Sequence, residues 1–367
     1  MDLSTCRRLF SVTEKSVYLN NAAESPLNTR AYQKLKDYLQ LVTEEPQNKP
    51  EVRTIIRKQL SEIFGGTVDE YALVTSTGMG ISIVASGYQW QKGDNVVLPM
   101  DEHWNNTFPW LALRERGVEV RIVPIGEDQR IDAAKIASMV DENTRILSTA
   151  AVRFDTGFRT DLRVLSEIAH NKGALLMVDG IQGAGVCPMN VLEDGIDILA
   201  CGGFKWLLGM PGTGFLYVNS KAQENIRPVL PGMFAAEKNL RELHYLPDAR
   251  CYETGTIPYS LFHAWSAGLK IIHEVGVSNI HTHVLSLTDR IIASMHSKKI
   301  KIVTPIEQIS ERSAIISFTM GSETANKACY DKLRENNVVV SLRGSQIRVS
   351  PNFFNTEEEI ERFLDLL

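Results

Sequence analysis

Apolar residues recur at helical spacing over 31–42 and again over 52–64, where Gly65-Gly66 supplies a natural stop. From there short apolar runs alternate with amphipathic stretches. Strands are predicted at 71–75, 95–98, 118–123, 145–149, 174–178, 197–200 and 214–218. Helices are predicted between them at about 80–90, 110–116 and 161–172, the last closed by Gly173. Such alternation implies an α/β architecture, a mainly parallel sheet with helices on both faces.

Beyond about residue 225 the rhythm changes. Helical patterns at 261–274 and 285–296 lead into short strand-like runs at 300–303, 314–318, 338–340 and 346–349. A last helix at 357–367 is capped by Asn355-Thr356 and has acidic residues in its first turn. This is a second, smaller α+β unit. The expected division is a large unit at 15–245 and a small one at 246–367 that takes in the N-terminal segment 1–14.

Composition narrows the function classes. The 367 residues are 44% hydrophobic and 23% charged, enough apolar material for a large core. A formal net charge of −5 implies no basic face for nucleic acid. No apolar run approaches the ~20 residues needed to span a bilayer, and 1–8 lacks the apolar core of a secretory signal. The cysteines (Cys6, Cys187, Cys201, Cys251 and Cys329) are odd in number and contain no CxxC pair, so neither a disulfide framework nor a metal site is suggested. A cytoplasmic protein with no nucleic-acid or membrane partner is expected.

In open parallel sheets, ligands gather beyond the carboxyl ends of the strands. Asp179 ends the run Leu175-Leu-Met-Val178, and Lys205 follows Ile198-Leu-Ala-Cys-Gly-Gly-Phe204. A charge in an apolar stretch needs a partner, which here is a mutual salt bridge, a local turn or a ligand. Thr75-Ser-Thr-Gly-Met-Gly80 lies between a predicted strand and helix, where backbone amides can hold a phosphate. It lacks the third glycine of a dinucleotide fingerprint and the Gly-Lys-Ser/Thr of a P-loop.

Further motifs extend this frame: Val178-Asp-Gly-Ile-Gln-Gly-Ala-Gly185, Gly195-Ile-Asp197, Gly202-Gly-Phe-Lys-Trp-Leu207 and Gly212-Thr-Gly-Phe-Leu-Tyr-Val218. Together they resemble the core of the class V aminotransferase family, fold-type I enzymes of pyridoxal 5′-phosphate (PLP) that include cysteine desulfurases and isopenicillin N epimerase. The resemblance runs from Tyr18-Leu-Asn-Asn-Ala-Ala23 to Arg348 and Asn355-Thr356. It implies the type I PLP-dependent transferase fold, with a seven-stranded-type sheet between helices and a smaller α+β C-terminal domain.

The resemblance also implies roles. Lys205 would carry PLP as a Schiff base and then act as acid and base. Asp179 would pair with the pyridinium nitrogen, Gln182 with the phenolic oxygen, and His103 would stack on the ring. Thr77 and Gly78 would hold the phosphate, joined by Gly255 and Thr256 reaching over from a neighbouring subunit, so a homodimer with shared sites is expected. Arg348 would grip the substrate α-carboxylate, with Asn20 also at the substrate. Arg153 is a candidate for a second acidic group, or for a structural ion pair.

Three departures qualify the likeness. Where desulfurases carry Ser-Gly-His-Lys, this chain has Gly202-Gly203-Phe204-Lys205, and Ala150-Ala-Val-Arg153 stands where they have an asparagine. The stretch Asn337–Ile347 is short and holds no cysteine for persulfide chemistry, while Cys329 sits in a helical pattern. The compact form around Leu342–Pro351 looks like the epimerase-like and C–S-lyase-like branches. The expected activity is therefore PLP chemistry at Cα or Cβ of an amino acid, of aminotransferase or β-elimination type, with epimerisation or carbon–carbon bond formation next. A catalytically silent binding member of the fold is the alternative, and the retention of Lys205, Asp179, His103 and Arg348 argues against it.

Overall fold

Helix starts are marked along this chain by side-chain caps. Asn28, Ser76, Asp132, Asp161, Ser322 and Thr356 each accept a backbone N–H from the first turn that follows them. The protein is described here by a computed structural model that covers residues 1–48, 50–239 and 241–367. Its helices are α1 (Leu3–Arg7), α2 (Thr29–Glu44), α3 (Arg53–Phe64), α4 (Thr77–Gly87), α5 (Phe108–Leu111), α6 (Ala133–Met139), α7 (Leu162–His170), α8 (Ser220–Gln223), α9 (Tyr259–Val275), α10 (Val277–Ser297), α11 (Glu323–Glu335) and α12 (Glu357–Leu364).

After a two-residue strand, β1 (Val17–Tyr18), come β2 (Tyr71–Val74), β3 (Asn95–Pro99), β4 (Glu119–Val123), β5 (Thr144–Ala150), β6 (Leu175–Asp179), β7 (Ile198–Gly202) and β8 (Gly214–Val218). These seven form one sheet in the order β2-β8-β7-β6-β5-β3-β4. All neighbours run parallel except β8, which is antiparallel to both β2 and β7. Every residue of β3, β6, β7 and β8 is buried, as a sheet covered on both faces requires. Alternate side chains feed opposite cores. Leu176 and Val178 pack with α3, α7 and α9, whereas Leu175 and Met177 pack with α4 and Trp110.

The second layer is smaller. It uses β9 (Lys301–Ile302), β10 (Ile316–Thr319), β11 (Val338–Val339), β12 (Ser341–Arg343) and β13 (Gln346–Val349). Four of these make an antiparallel sheet, β12-β13-β10-β9, while β11 pairs with β1. One face (Ile316, Phe318, Ile347 and Val349) is packed under α10, α11 and α12. The other face is polar and turns toward the segment after β5, where Ser317 Oγ and Gln346 Nε2 donate to Asp155 O. The N-terminal segment packs its Cys6 and Phe10 into the main core and also touches the chain near α12. Phe10 stacks on Phe354 at 4.2 Å, and Arg7 pairs with Glu359 at 2.9 Å. Helix α9 lies along α2 and α3.

Several predicted elements differ in detail. The helix expected at 80–90 begins at Thr77, where Ser76 caps it, and stops at Gly87 because Tyr88 is extended (φ −60°, ψ 140°). The pattern at 110–116 divides into α5 and a 3-10 turn, Ala112–Arg116. Helix α6 was not foreseen.

One buried ion cluster fixes the approach to residues 254–256. Glu253, 1% exposed, accepts from Arg53 and Arg57 of α3 at 2.5 Å each and from the Leu73 N–H at 2.9 Å. Glu253→Gln leaves two buried guanidinium groups without a counter-charge. The expected loss is about 3–5 kcal/mol in urea denaturation. A loss under about 1 kcal/mol would mean that the cluster behaves like a surface pair.

Candidate active site

Because β5, β6 and β7 are parallel, their carboxyl ends open along one edge, with Ala150 level with Asp179 and Asp179 level with Ala200. Asp179 is 3% exposed and accepts from the Ile181 N–H at 3.0 Å. Burial pushes its carboxyl up to about 6, against the pull of that hydrogen bond and of the Lys205 charge. The chain leaves β7 through Gly202 and reaches Lys205 three residues later. Burial presses the Lys205 amine down to about 8, helped by the charge of Arg348 and opposed by Asp179.

The Lys205 loop is closed by an unusual turn. Leu208 donates its N–H to Lys205 O at 2.9 Å while holding φ at +59°, a conformation that side chains disfavour. Gly268 of α9 makes room for it, since a Cβ there would lie 2.7 Å from Leu208 O. Gly202 is similarly confined: a Cβ would meet Ile181 Cδ1 at 3.1 Å and Phe204 Cε1 at 3.2 Å. The Gly202-Gly203-Phe204 departure is thus packed as a small-residue turn.

At the start of α4 the Ser76 cap takes the Met79 N–H, and Gly80 bonds Ser76 O. The N–H groups of Thr77 and Gly78 are left to meet an anion at the helix start. The Thr77 hydroxyl is committed elsewhere, accepting the Gly202 N–H at 2.8 Å and locking α4 to β7.

His103 Nδ1 accepts the Asn105 N–H at 3.2 Å, which assigns the proton of the neutral ring to Nε2. Phe154 meets the imidazole edge-on at 5.2 Å, and burial, then the charges of Lys205 and Arg343, keep it below the ordinary histidine range. Gln182 is buried. Its Nε2 donates to Ala22 O at 3.0 Å, and its Oε1 accepts from Trp206 Nε1 at 3.1 Å, which leaves one amide N–H uncommitted.

Arg348 lies on the polar face of the small sheet, 1% exposed. Its Nη1 donates to Phe154 O at 2.5 Å, while Nε and Nη2 are buried without a partner. Burial and then Arg343 bring its guanidinium down to about 10. Asn20 stands beside it: Asn20 Oδ1 accepts from Ser341 Oγ, and Ser341 is the register partner of Arg348.

Three expected site residues, Arg153, Gly255 and Thr256, are placed differently from the rest. Arg153 does not meet the expectation of a free grip on substrate. It is 2% exposed, with Nη1 on Met100 O at 3.0 Å and Nη2 on Asp155 at 2.7 Å, so its terminal nitrogens form the structural ion pair instead. The segment carrying Gly255 and Thr256 is tied back by Arg53, whose Nη2 donates to Gly255 O at 3.1 Å, and Thr256 faces outward.

Two residues at the site were not foreseen. Glu102 is buried, accepts from the Ala150 N–H at 2.9 Å and the Asn106 amide at 3.1 Å, and burial raises it to about 7. Its only signal in the sequence was adjacency to His103. Arg343, exposed at the end of β12, sits near enough to depress Lys205, His103 and Arg348. The five thiols are all buried, and burial raises every one of them. A separate cleft of about 730 Å³ lies between α7 and the start of α10. Two of its arginines are already engaged, Arg163 on Asp194 at 3.0 Å and Arg159 on Pro188 O at 2.9 Å.

Comparison with known proteins bears on the family and the fold. The chain matches the family described as Aminotransferase class-V over residues 17–363. It is 29% identical over 327 residues to a probable cysteine desulfurase of Methanothermobacter thermautotrophicus, covering 83% of this chain and 80% of that relative. It is 28% identical over 368 residues to an uncharacterized aminotransferase of Bacillus subtilis, covering 98% and 95%. Among solved structures, a mutant of C-DES with glycine covalently linked to the PLP cofactor superposes with a TM-score of 0.90 at 20% identity, covering 98% of each chain. The cystine C–S lyase C-DES with its product cysteine persulfide gives 0.89 at 21% identity, covering 97% of this chain and 98% of the other. At such identities the structural likeness speaks to the fold alone.

Proposed function

This chain belongs to the class V aminotransferase family, and from that premise we propose that Lys205 moves a proton at Cα of an amino acid whose carboxylate Arg348 holds. Membership makes it a PLP-dependent enzyme with aminotransferase or C–S lyase chemistry. The observation that carries the proposal is Arg348, a buried guanidinium with two unpartnered nitrogens on the same side as Lys205. Such a group is costly to bury alone and is matched by a carboxylate that accepts two parallel hydrogen bonds.

The residues present fit PLP. The free N–H groups of Thr77 and Gly78 suit its phosphate, the remaining Gln182 N–H its phenolic oxygen, and the buried Asp179 carboxylate its ring nitrogen. His103 is the residue to lie against the ring. When bound, PLP supplies an aldehyde for the lysine amine and a ring that accepts the electron pair left at Cα. Lys205 does the rest of the work. With its amine near 8, a usable fraction is free base around neutral pH and available to take the Cα proton. Arg348 fixes which bond at Cα faces that amine by holding the carboxylate. Delivery of that proton by Lys205 to the carbon that was the cofactor's aldehyde would give the aminotransferase outcome, its return to Cα would give back the amino acid or its epimer, and departure of a β-substituent would give the lyase outcome. Transfer of sulfur to a protein thiol has no support here, since the turn between β12 and β13 is only Gly344-Ser345 and every cysteine is buried.

A homodimer also follows from this reading. Trp104 and Phe108, 69% and 61% exposed, follow His103 in the chain, and Leu230, Met233 and Leu243 are also exposed. Apolar surface of this kind is covered by a partner, and the outward-facing 254–256 segment is then available to the partner's phosphate site. No helix among the described residues is long and apolar enough to cross a membrane, and five unpaired cysteines suit the reducing cytoplasm.

Two measurements test the reading. The cofactor-loaded protein, screened against amino acids by absorbance with product identification, should release pyruvate from cysteine or cystine if it eliminates, or convert its cofactor to the amine form if it transaminates. A loaded protein whose spectrum responds to no amino acid contradicts the proposal. In the second, uptake of PLP by the cofactor-free protein should quicken about tenfold per pH unit up to about pH 8 and level off above it, because only the free amine reacts. A midpoint at the ordinary lysine value of 10.5 would contradict the site electrostatics.

A further inference from the structure

We infer that Arg343 is a second anion receptor of this site, and that the substrate is an amino acid carrying a second carboxylate on its side chain. The inference rests on the reading that Arg348 takes the α-carboxylate. It starts from the β12–β13 hairpin, whose register pairs Ser341 with Arg348, Leu342 with Ile347 and Arg343 with Gln346. Strand alternation sends Ile347 into the apolar core, with Leu342 packed against it, and puts Ser341, Arg343, Gln346 and Arg348 on the opposite, polar face. Three of those four are tied into the site wall: Ser341 to Asn20, Gln346 to Asp155 O, and Arg348 to Phe154 O. Arg343 is the fourth. Among the described residues no carboxylate lies within 4 Å of its guanidinium.

The charge pattern of the site points the same way. Lys205, Arg348 and Arg343 are three cations around one opening, and the charge of Arg343 is felt by both others and by His103. The nearby acids are committed. Asp179 faces Lys205 from the strand end, Asp155 is paired with Arg153 at 2.7 Å, and Glu102 is buried between the Ala150 N–H and the Asn106 amide. A substrate with a single carboxylate satisfies Arg348 and leaves Arg343 unmatched. Arg343 and Arg348 are diagonal neighbours across the hairpin, at a backbone spacing of about 7–8 Å. Their long side chains can therefore embrace two carboxylates separated by a few bonds. Aspartate and glutamate supply the second one on a short side chain, and cystine supplies it at the far end of a disulfide. A solvated arginine on a hairpin tip would not distinguish ligands by charge.

The test is a binding titration of the cofactor-loaded protein, read by cofactor absorbance, with aspartate, glutamate, cystine and alanine. Arg343→Gln should raise Kd for the doubly acidic ligands about ten- to a hundredfold and leave alanine within about twofold. On the preferred acidic substrate the loss should fall on KM with kcat nearly unchanged, and Arg343→Lys should recover part of it. The ligand with the largest loss identifies the source of the second carboxylate. Equal weakening of alanine and the acidic ligands, or no change with any of them, overturns the inference. A second arm needs no cofactor: succinate should raise the melting temperature of the cofactor-free protein more than propionate does, and Arg343→Gln should erase that difference. Charge discrimination in this arm with a cofactor-loaded protein that ignores amino acids would sink the proposed activity and leave Arg343 in its role. An active enzyme without discrimination would do the reverse.

Discussion

Lys205→Ala is expected to abolish turnover of every amino acid substrate, a loss of about 10⁴-fold or more, because one amine serves as both attachment point and proton carrier. The fold should survive. Lys205 makes no side-chain hydrogen bond among the described residues, and its loop is held by backbone contacts, the Leu208 N–H to Lys205 O and the Ser25 N–H to Phe204 O. The sign of the stability change is also fixed. In the folded, cofactor-free protein the amine sits near 8, against 10.5 for an ordinary lysine. The native state therefore binds this proton less well than the unfolded chain does, and the charged amine costs stability below about pH 8. That cost fades as pH rises from about 8 to 10.5. Without cofactor, Lys205→Ala should melt above the wild type at pH 7, and the difference should shrink toward pH 10. Residual turnover near the wild-type rate, or a melting advantage that grows with pH, would refute the account of this residue.

The second large effect is expected at Arg348, where function and stability should move in opposite directions. Arg348→Met removes both hydrogen bonds to the α-carboxylate, and kcat/KM should fall about 10²–10³-fold. Preference for an amino acid over the amine that lacks its carboxylate should collapse with it. The same change removes a guanidinium whose Nε and Nη2 are buried and unpartnered in this structure. Replacing such a charge by an apolar side chain of similar length is neutral or stabilising. Urea denaturation of the cofactor-free variant should thus show stability equal to or above that of the wild type. Arg348→Lys should not restore activity, since an ammonium cannot make the two-pronged contact. A large loss of stability in Arg348→Met would instead make this residue a structural support.

Much of the frame was legible in the chain because it depends on local pattern. The buried runs ending at Asp179 and Gly202 read as strands, and charged residues at their ends stood out against apolar surroundings. Other features depend on contacts that no local pattern carries. The start of α4 was misplaced because Gly78 and Gly80 are poor helix formers. What makes them helical is the Ser76 cap and the bond from Gly202 to Thr77, which comes from 125 residues away. The antiparallel entry of β8 between β2 and β7 was equally invisible, since a strand buried on both faces reads the same in either direction.

The same limit governs the site residues. Arg153 looked available because its neighbour Asp155 folds back onto it only through the turn after β5, and Met100 O completes the pair from another loop. For Arg348 the alternation with Ile347 and Val349 alone also allowed a surface arginine on an edge strand, and the resemblance decided for the carboxylate grip. In the fold that polar face is turned inward against Phe154 and Asn20, which converts the ambiguity into a buried cation. Arg343 was missed for the converse reason. A charge beside Gly344-Ser345 reads as a solvated turn until the register places it on the face of Arg348.

The central claim is that PLP is held on the ε-amine of Lys205, and covalent trapping tests it most directly. The cofactor-loaded protein is reduced with borohydride, digested, and its peptides are sequenced by mass spectrometry. The account predicts a single phosphopyridoxyl-modified residue, Lys205, in the peptide that contains Phe204 and Trp206. Modification of any other lysine, or cofactor that washes away after reduction, would contradict it.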